Sequence, residues 1–523
     1  MRKFLLASAA ILGATSGAAF AQTPPNQLQG QYAAPLLGGP SANNNLNTFG
    51  TATPGAALAP APGTVVIRLN GKLYAGFDLD YMSGGTSPPG TLSNGVALSA
   101  TPYKLNPIGM ASFLRLYPGI DGMATNGLRY GAGAEIRENF EGGNTFTVSA
   151  APTATGTVAI TNPIGGATAG TNSSASGNSS AETLFVRRAF VYFGTDQLGI
   201  VRMGQQDGLI GIYDATGIFT VGSWDGGIGN LNNGNIQAVT PNQYLISWGW
   251  LSGNGTEYGD NKIVYLSPSF MGVDVGVEFG PNMGNSFSQS ATSDPYAVGP
   301  CNTASANCIN VTSGTDASRW INRWGFGVRA IENIAGAVIQ GYGDFTLSGE
   351  AKDGAAILMN PTHPLSTGAG AIKYDGQKFF NGGLAATYLG FTVAGDLSVG
   401  RLNGSNALDP TGGVPMHAEM ASASYAVGPY SVGAIIGIED SQGSADLVGT
   451  SQRHEVAFAV GGAYRIAPGI NLCVEYQYEL RHQGDFNFNT NVAGPAALGA
   501  GGTAGVGNTI HGQGLEIATI VNW

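Results

Sequence analysis

Residues Val65–Tyr81 read VVIRLNGKLYAGFDLDY. Val65, Ile67, Leu69, Leu73, Phe77 and Leu79 fall on one face, and Arg68, Asn70, Lys72, Asp78 and Asp80 on the other, so the period is two over 17 residues. A helix would need apolar residues at three- and four-residue spacing, which is absent here. The run is longer than the strands of most globular sheets but suits a tilted barrel stave. The same alternation returns in Leu128–Phe140, where Leu128, Tyr130, Ala132, Ala134 and Ile136 oppose Arg129, Glu135, Arg137 and Asn139. It returns again in Arg453–Arg465, where Val456, Phe458 and Val460 oppose Arg453, Glu455 and Arg465. Counting such segments onward from Val65 gives about sixteen.

The connections between these segments are of two kinds. Thr195–Gln197, Pro268–Gly272, Gly428–Pro429 and Pro468–Gly469 are short. Gly142–Ala181, which holds no charge, and Pro281–Ala317 are long and rich in Gly, Ser, Asn and Thr. Long structureless loops count against a β-sandwich. Long loops alternating with short turns are the pattern of a transmembrane barrel. The expected fold is therefore all-β, an antiparallel transmembrane barrel of about sixteen strands.

Composition agrees. The 523 residues include 83 Gly, and only 11% are charged although 43% are hydrophobic. A barrel wall accounts for this, because a Lys or Arg facing lipid at mid-depth costs about 2–4 kcal/mol. Acids outnumber bases 33 to 22, which argues against nucleic-acid binding through a basic patch. Net charge is −11, and −13 once Arg2 and Lys3 are set aside with the first 21 residues.

Met1–Ala21 reads as a signal peptide: Arg2 and Lys3, a short apolar core, then Ala19-Phe20-Ala21 as a small-x-small cleavage site. Residues 22–64 contain seven prolines and no charge, the composition of a disordered or wall-hugging leader, and the barrel is expected over 65–523. At the other end, Leu515, Ile517, Thr519, Val521 and Trp523 share one face of a terminal strand. A chain closing on an outward aromatic resembles the signal read by barrel-assembly machinery, with Trp523, Val521 and Ile517 as its key positions. Cys301 and Cys308 have a spacing that could close a small disulfide, while Cys473 stands alone as a small packed residue. His363, His417, His454, His482 and His511 are scattered over loops and rims, and neither a metal site nor a cofactor is expected from them. The minimum residues of phosphate-loop, zinc-protease and nucleophile-elbow motifs are missing, so no enzyme is expected.

Five pieces resemble the general diffusion porins of Gram-negative bacteria, which are sixteen-stranded trimers. Gly71-Lys72-Leu73-Tyr74-Ala75-Gly76 is similar to their first strand and Leu114-Arg115-Leu116-Tyr117 to their second. Val186–Val191 with Gly199–Gln205 resembles the fourth and fifth strands. Gly208–Gly227 resembles the third loop, which folds inward, and Gly259–Gly272 the strand and turn after it.

This resemblance implies an outer-membrane homotrimer surrounded by lipid, a constriction loop at about 206–255, and passive diffusion of small hydrophilic solutes and ions. It also implies basic wall residues at the constriction, here Lys72, Arg115 and Arg187, facing loop acids, here Asp207, Asp214 and Asp225. Alternation adds Arg129 and Arg202 as inward candidates, and Arg188 is expected at a subunit contact. The loop departs from the family pattern: it carries few acids, its Ile218, Phe219, Val221 and Trp224 are apolar, and Tyr258 stands where relatives place another wall arginine. A sugar-specific channel, or a plugged barrel acting at the surface, are the alternative readings. The acidic mature chain favours cations at the mouths and the inward arginines favour anions, so ion selectivity stays open.

Overall fold

The computed structural model describes residues 60–82, 108–139, 185–206, 208–213, 260–282, 320–350, 374–402, 408–442, 452–484 and 508–523, with the two-residue segments 86–87, 103–104, 310–311, 352–353, 486–487 and 492–493. The expected signal peptide, most of the leader, Asp207, Asp214, Asp225, Tyr258, the Cys301–Cys308 pair and His363 lie outside the described residues.

Sixteen strands close into one barrel. They are β1 (Thr64–Met82), β2 (Ile108–Met123), β3 (Arg129–Asn139), β4 (Phe185–Thr195), β5 (Gly199–Gln206), β6 (Asp260–Leu266), β7 (Val273–Asn282) and β8 (Trp320–Ile334). Then come β9 (Ala337–Glu350), β10 (Lys378–Tyr388), β11 (Phe391–Arg401), β12 (Met416–Val427), β13 (Tyr430–Ser441), β14 (Arg453–Ala467), β15 (Ile470–Gln483) and β16 (Thr509–Asn522). Each strand pairs antiparallel with its sequence neighbours, and β16 returns to β1 with Asn522 opposite Lys72 and Gly512 opposite Met82. Closure matters physically, because a sheet edge in hydrocarbon would leave unpaired N–H and C=O groups that lipid cannot satisfy.

The two faces follow the sequence alternation. Ile67, Leu384, Phe391 and Val393 point outward and are exposed, while Arg202, Arg323, Asn381 and Ser398 point inward and are buried. At one rim the connections are tight. Ala335-Gly336 and Leu389-Gly390 each join two strands with both residues at positive φ, 53° and 86° in the first and 48° and 85° in the second. Positive φ at both central positions is the turn geometry that matches the right-handed twist of hairpin strands. Both ends of the barrel sequence, Thr64 and Asn522, lie toward this short-turn rim.

At the seam, the Trp523 N–H donates to the Gly71 carbonyl and the Gly71 N–H to the Trp523 carbonyl, both at 3.1 Å. The Trp523 indole covers Gly71 so closely that a Cβ there would overlap the ring.

At the opposite rim, Asp409–Pro410 of the connection from β11 to β12 pairs with Tyr374–Asp375 of the connection from β9 to β10. Asp375 and Asp409 are register partners, Arg401 binds Asp375, and Thr411 Oγ1 donates to Asp375 Oδ1 at 3.0 Å. Burial pushes the Asp409 carboxyl up to about 7, against the opposing pull of the Arg401 cation and a backbone hydrogen bond from Leu402. A raised carboxyl favours the docked loop fully below the ordinary carboxylate range and loses that contribution as pH rises through about 7. Amide exchange at 408–412 is therefore expected to lose protection progressively as pH rises from about 4 to about 7, and to change little above that. Asp409→Asn should remove the dependence; a variant that keeps it would assign the titration elsewhere.

Candidate functional site

The inward face of the wall holds the charge that the outward face excludes. Lys72 and Arg115 are direct partners across β1 and β2, both buried on this face. Arg202 on β5 is buried with its guanidinium 4.2 Å from the centre of the Phe190 ring. A cation over an aromatic face is attracted by the ring quadrupole, which holds this arginine against the wall. Arg129 is inward too, but it starts β3 at the short-turn rim and pairs at 2.8 Å with Asp196 of the β4–β5 turn. The structure thus brings Lys72 and Arg115 together and sets Arg129 apart.

Arg188 corrects an expectation. It does not face outward to a subunit contact; it is buried on the inner face with its Nε 2.9 Å from Glu135. The cause is a register shift. Glu135 pairs with Arg188 but Ile136 pairs with Val186, so Arg187 occupies a bulge and strict alternation fails there. The Arg187 side chain lies outside the described residues.

Several inward groups escaped the sequence reading. Asp121 takes Arg68 and the Tyr192 hydroxyl, Asp274 takes Arg329 at 3.1 Å, and Glu278 faces Arg323 at 3.7 Å. Lys262 is buried on the same wall. Further round, Glu439 stands directly opposite Glu455, which binds Arg481, and Glu475 stands opposite Glu516, which accepts from the Tyr74 hydroxyl. Glu479 lies on that same stretch of wall. The lumen face is therefore sorted by sector. From β1 to β8 it carries Lys72, Arg115, Arg188, Arg202, Lys262, Arg323 and Arg329 interleaved with fewer acids; from β13 to β16 acids predominate. The inner faces of β10 to β12 between these sectors, and part of β14, also carry small and apolar side chains, among them Ala385, Ala394, Met416, Ala418, Met420, Ala457 and Ala459. Cys473 is buried on the inner face of β15, two residues from Glu475.

The connection leaving β5 turns onto this inner face. Leu209–Tyr213 forms a one-turn helix, α1, whose Leu209, Ile210, Ile212 and Tyr213 are all buried. Its first amide donates to Glu278 Oε2 at 2.6 Å, so a carboxylate caps the positive end of the helix. The Arg329 guanidinium lies 4.9 Å from the Tyr213 ring centre. Gly276 lies between Asp274 and Glu278 on β7, and a Cβ there would meet Leu209 Cδ2 at 2.5 Å and the Tyr213 hydroxyl at 2.8 Å. The missing side chain is what lets α1 approach the wall.

The closed sixteen-stranded barrel has a charged inner face and a helix seated on that face, and the sequence says to which family it belongs. A family model described as Gram-negative porin matches residues 7–484. The chain belongs to the Gram-negative porin family. No curated protein matches the porin significantly. Among solved structures, the porin is similar to in-vitro folded OmpT, an outer membrane protein of Vibrio cholerae in its trimer form, at 11% identity and a TM-score of 0.43, covering 88% of this chain and 99% of that one. It is also similar to a triple mutant of the Rhodopseudomonas blastica porin, at 12% identity and a TM-score of 0.41, covering 88% of this chain and 100% of that one. As a member of this family the porin is an outer-membrane channel.

Proposed function

We propose that this porin lets small hydrophilic solutes and ions diffuse passively through a water-filled lumen, as an exported homotrimer with its long loops outside the cell. The observation that carries this is the inner wall itself: charged groups line it, as suits a water-filled lumen for hydrophilic solutes and ions. We further propose that the segment after Tyr213 continues inward and, with Asp214 and Asp225, narrows the pore beside Lys72, Arg115 and Arg202. The seating of α1 on the inner wall supports this path. Unlike a pore whose acids sit on the loop alone, this one also carries a negative pole on β13 to β16, adjoining Lys72 and Arg115 and across the ring from Arg202.

The test is planar-bilayer recording under a potassium chloride gradient. Ohmic steps that close in thirds are expected. Lys72→Glu with Arg115→Glu should move the reversal potential toward cation preference, with the heat-modifiable band as the control for folding. Silence from a folded barrel would point to a plugged lumen, and an unchanged reversal potential would take these two residues out of the ion path.

A further inference from the structure

The chain enters the barrel through a reversal. The Thr64 N–H donates to the Ala61 carbonyl at 2.9 Å, with Pro62 and Gly63 between them and Gly63 at a φ of 83°. Proline at the second position and positive φ at the third make this a type II β-turn. The Thr64 hydroxyl donates to the same carbonyl at 2.6 Å, and the Gly63 N–H donates to the Met123 carbonyl of β2 at 2.7 Å. A β-turn sends the chain back the way it came, so Pro60 runs antiparallel to the start of β1, toward the barrel.

Three paths lead on from there. In the plane of the wall, β1 from Thr64 to Asn70 has β2 on one side and no strand on the other. That gap closes at Gly71, which exchanges two backbone hydrogen bonds with Trp523. Outside the wall, Ile67 is 78% and Leu69 60% exposed, so nothing covers the outer face of β1 at this end. Inside, Asn70 and Lys72 are buried. Pro60 is buried too, although Ala61, Pro62, Gly63 and Thr64 are all exposed. Residues 22–59 are moreover rich in Asn, Gln, Gly and Pro, and hydrocarbon would leave their amides unsatisfied. The inward path is the one that remains.

The inner wall offers ground of matching chemistry. Ala518 on β16 stands opposite Cys473 on β15, Cys473 opposite Ala463 on β14, and Ala463 opposite Ser431 on β13. All four are buried, although side chains this short cannot shield one another on a wall that faces a lumen. None of them is charged, and neither is any residue from 22 to 59, so contact between the two desolvates no ion. Glu475 and Glu516 stand two residues further along β15 and β16, and the amides of Gln29, Gln31 and Asn43–Asn45 are donors that suit carboxylates.

We propose that residues 22–59 fold back through the short-turn mouth and lie over the inner row of Ala518, Cys473, Ala463 and Ser431, so that the chain narrows its own pore from that end. Reach is ample: an extended segment of this length spans on the order of 100 Å, against about 30 Å of hydrocarbon. The effect on current rests on the channel reading; the placement does not.

The test deletes residues 28–58, which leaves the expected export signal and its cleavage site in place. Cys473 is the reporter, in a Cys301→Ser, Cys308→Ser background, through its rate of reaction with a charged methanethiosulfonate in the folded barrel. The deletion should raise that rate several-fold and increase single-channel conductance. Gly63→Val keeps the whole leader but opposes the positive φ of the turn, and its Cβ would meet only Thr125 Cγ2, at 3.5 Å. It should raise both readings in part, and it serves as the test if the deletion fails to assemble. Equal reaction rates in the full-length protein and the variants would overturn the proposal. So would a rate that rises on removal of Leu209–Gly229 and not on removal of the leader, which would give the cover to the third loop. A reactive Cys473 in the leader deletion, with neither form conducting, would strike the channel reading and leave this one standing.

Discussion

Gly71→Val is expected to deplete the membrane of folded barrel almost completely. Gly71 lies on the outward face of β1, where the space a Cβ would fill is taken by the Trp523 indole. The same two residues exchange both backbone hydrogen bonds, so the clash falls on the last rung of the ladder that joins β16 to β1. Overpacking in a water-soluble core usually costs about 1–3 kcal/mol, because neighbours can shift. Here the shift would unpair a seam in hydrocarbon, where each unsatisfied backbone group costs several kcal/mol. The heat-modifiable band should vanish for Gly71→Val and be reduced for Trp523→Ser. The double variant Gly71→Val with Trp523→Gly should recover part of it, because the indole no longer competes for the space. Wild-type amounts of folded Gly71→Val barrel would refute the seam argument, and failure of the double variant would mean that the indole itself is what assembly requires.

The barrel was legible because lipid on one side and a polar lumen on the other impose a period of two that no helix shares. Val65–Tyr81 and the terminal strand ending at Trp523 show this plainly. Turns carrying Pro or Gly pairs, such as Pro468-Gly469, could be placed as well. Ala335-Gly336 and Leu389-Gly390 could not, since nothing about Ala335 or Leu389 advertises the positive φ that their position in the hairpin forces on them. Alternation also misleads where the inner wall is apolar. In β12 the inward residues are Met416, Ala418 and Met420 while His417 and Glu419 point out, the reverse of the rule that places polar residues inside. Arg188 was misplaced because one bulged residue reverses every side chain beyond it, and a bulge leaves no mark in composition. The acid sector and the uncharged row beside it depend on register between strands up to tens of residues apart, which a linear pattern does not contain.

Removing Leu209–Gly229 is expected to raise single-channel conductance severalfold while the barrel still assembles. Each strand is paired on both sides without this segment, so the ladder loses no partner. What goes is α1, with its amide on Glu278, its Tyr213 ring under Arg329 and its approach over Gly276, together with the chain that we propose continues from it into the lumen. A pore's resistance is concentrated at its narrowest section, so widening that section alone accounts for a large change. Gly276→Leu offers the gentler version. A side chain there would take the place of Leu209 and the Tyr213 hydroxyl, unseat α1 and leave the loop at full length. Its expected signature is noisier current with substates, not a uniformly larger one, since the detached segment would enter and leave the current path. Unchanged conductance in the deletion would remove the constriction from this loop and pass it to the wall, where Lys72 and Arg115 stand beside the acids of β13 to β16 and Arg202 stands across the ring from them. In that case the Lys72→Glu, Arg115→Glu pair should still shift the reversal potential, and the two experiments together distinguish a pore narrowed by its loop from one filtered by its wall.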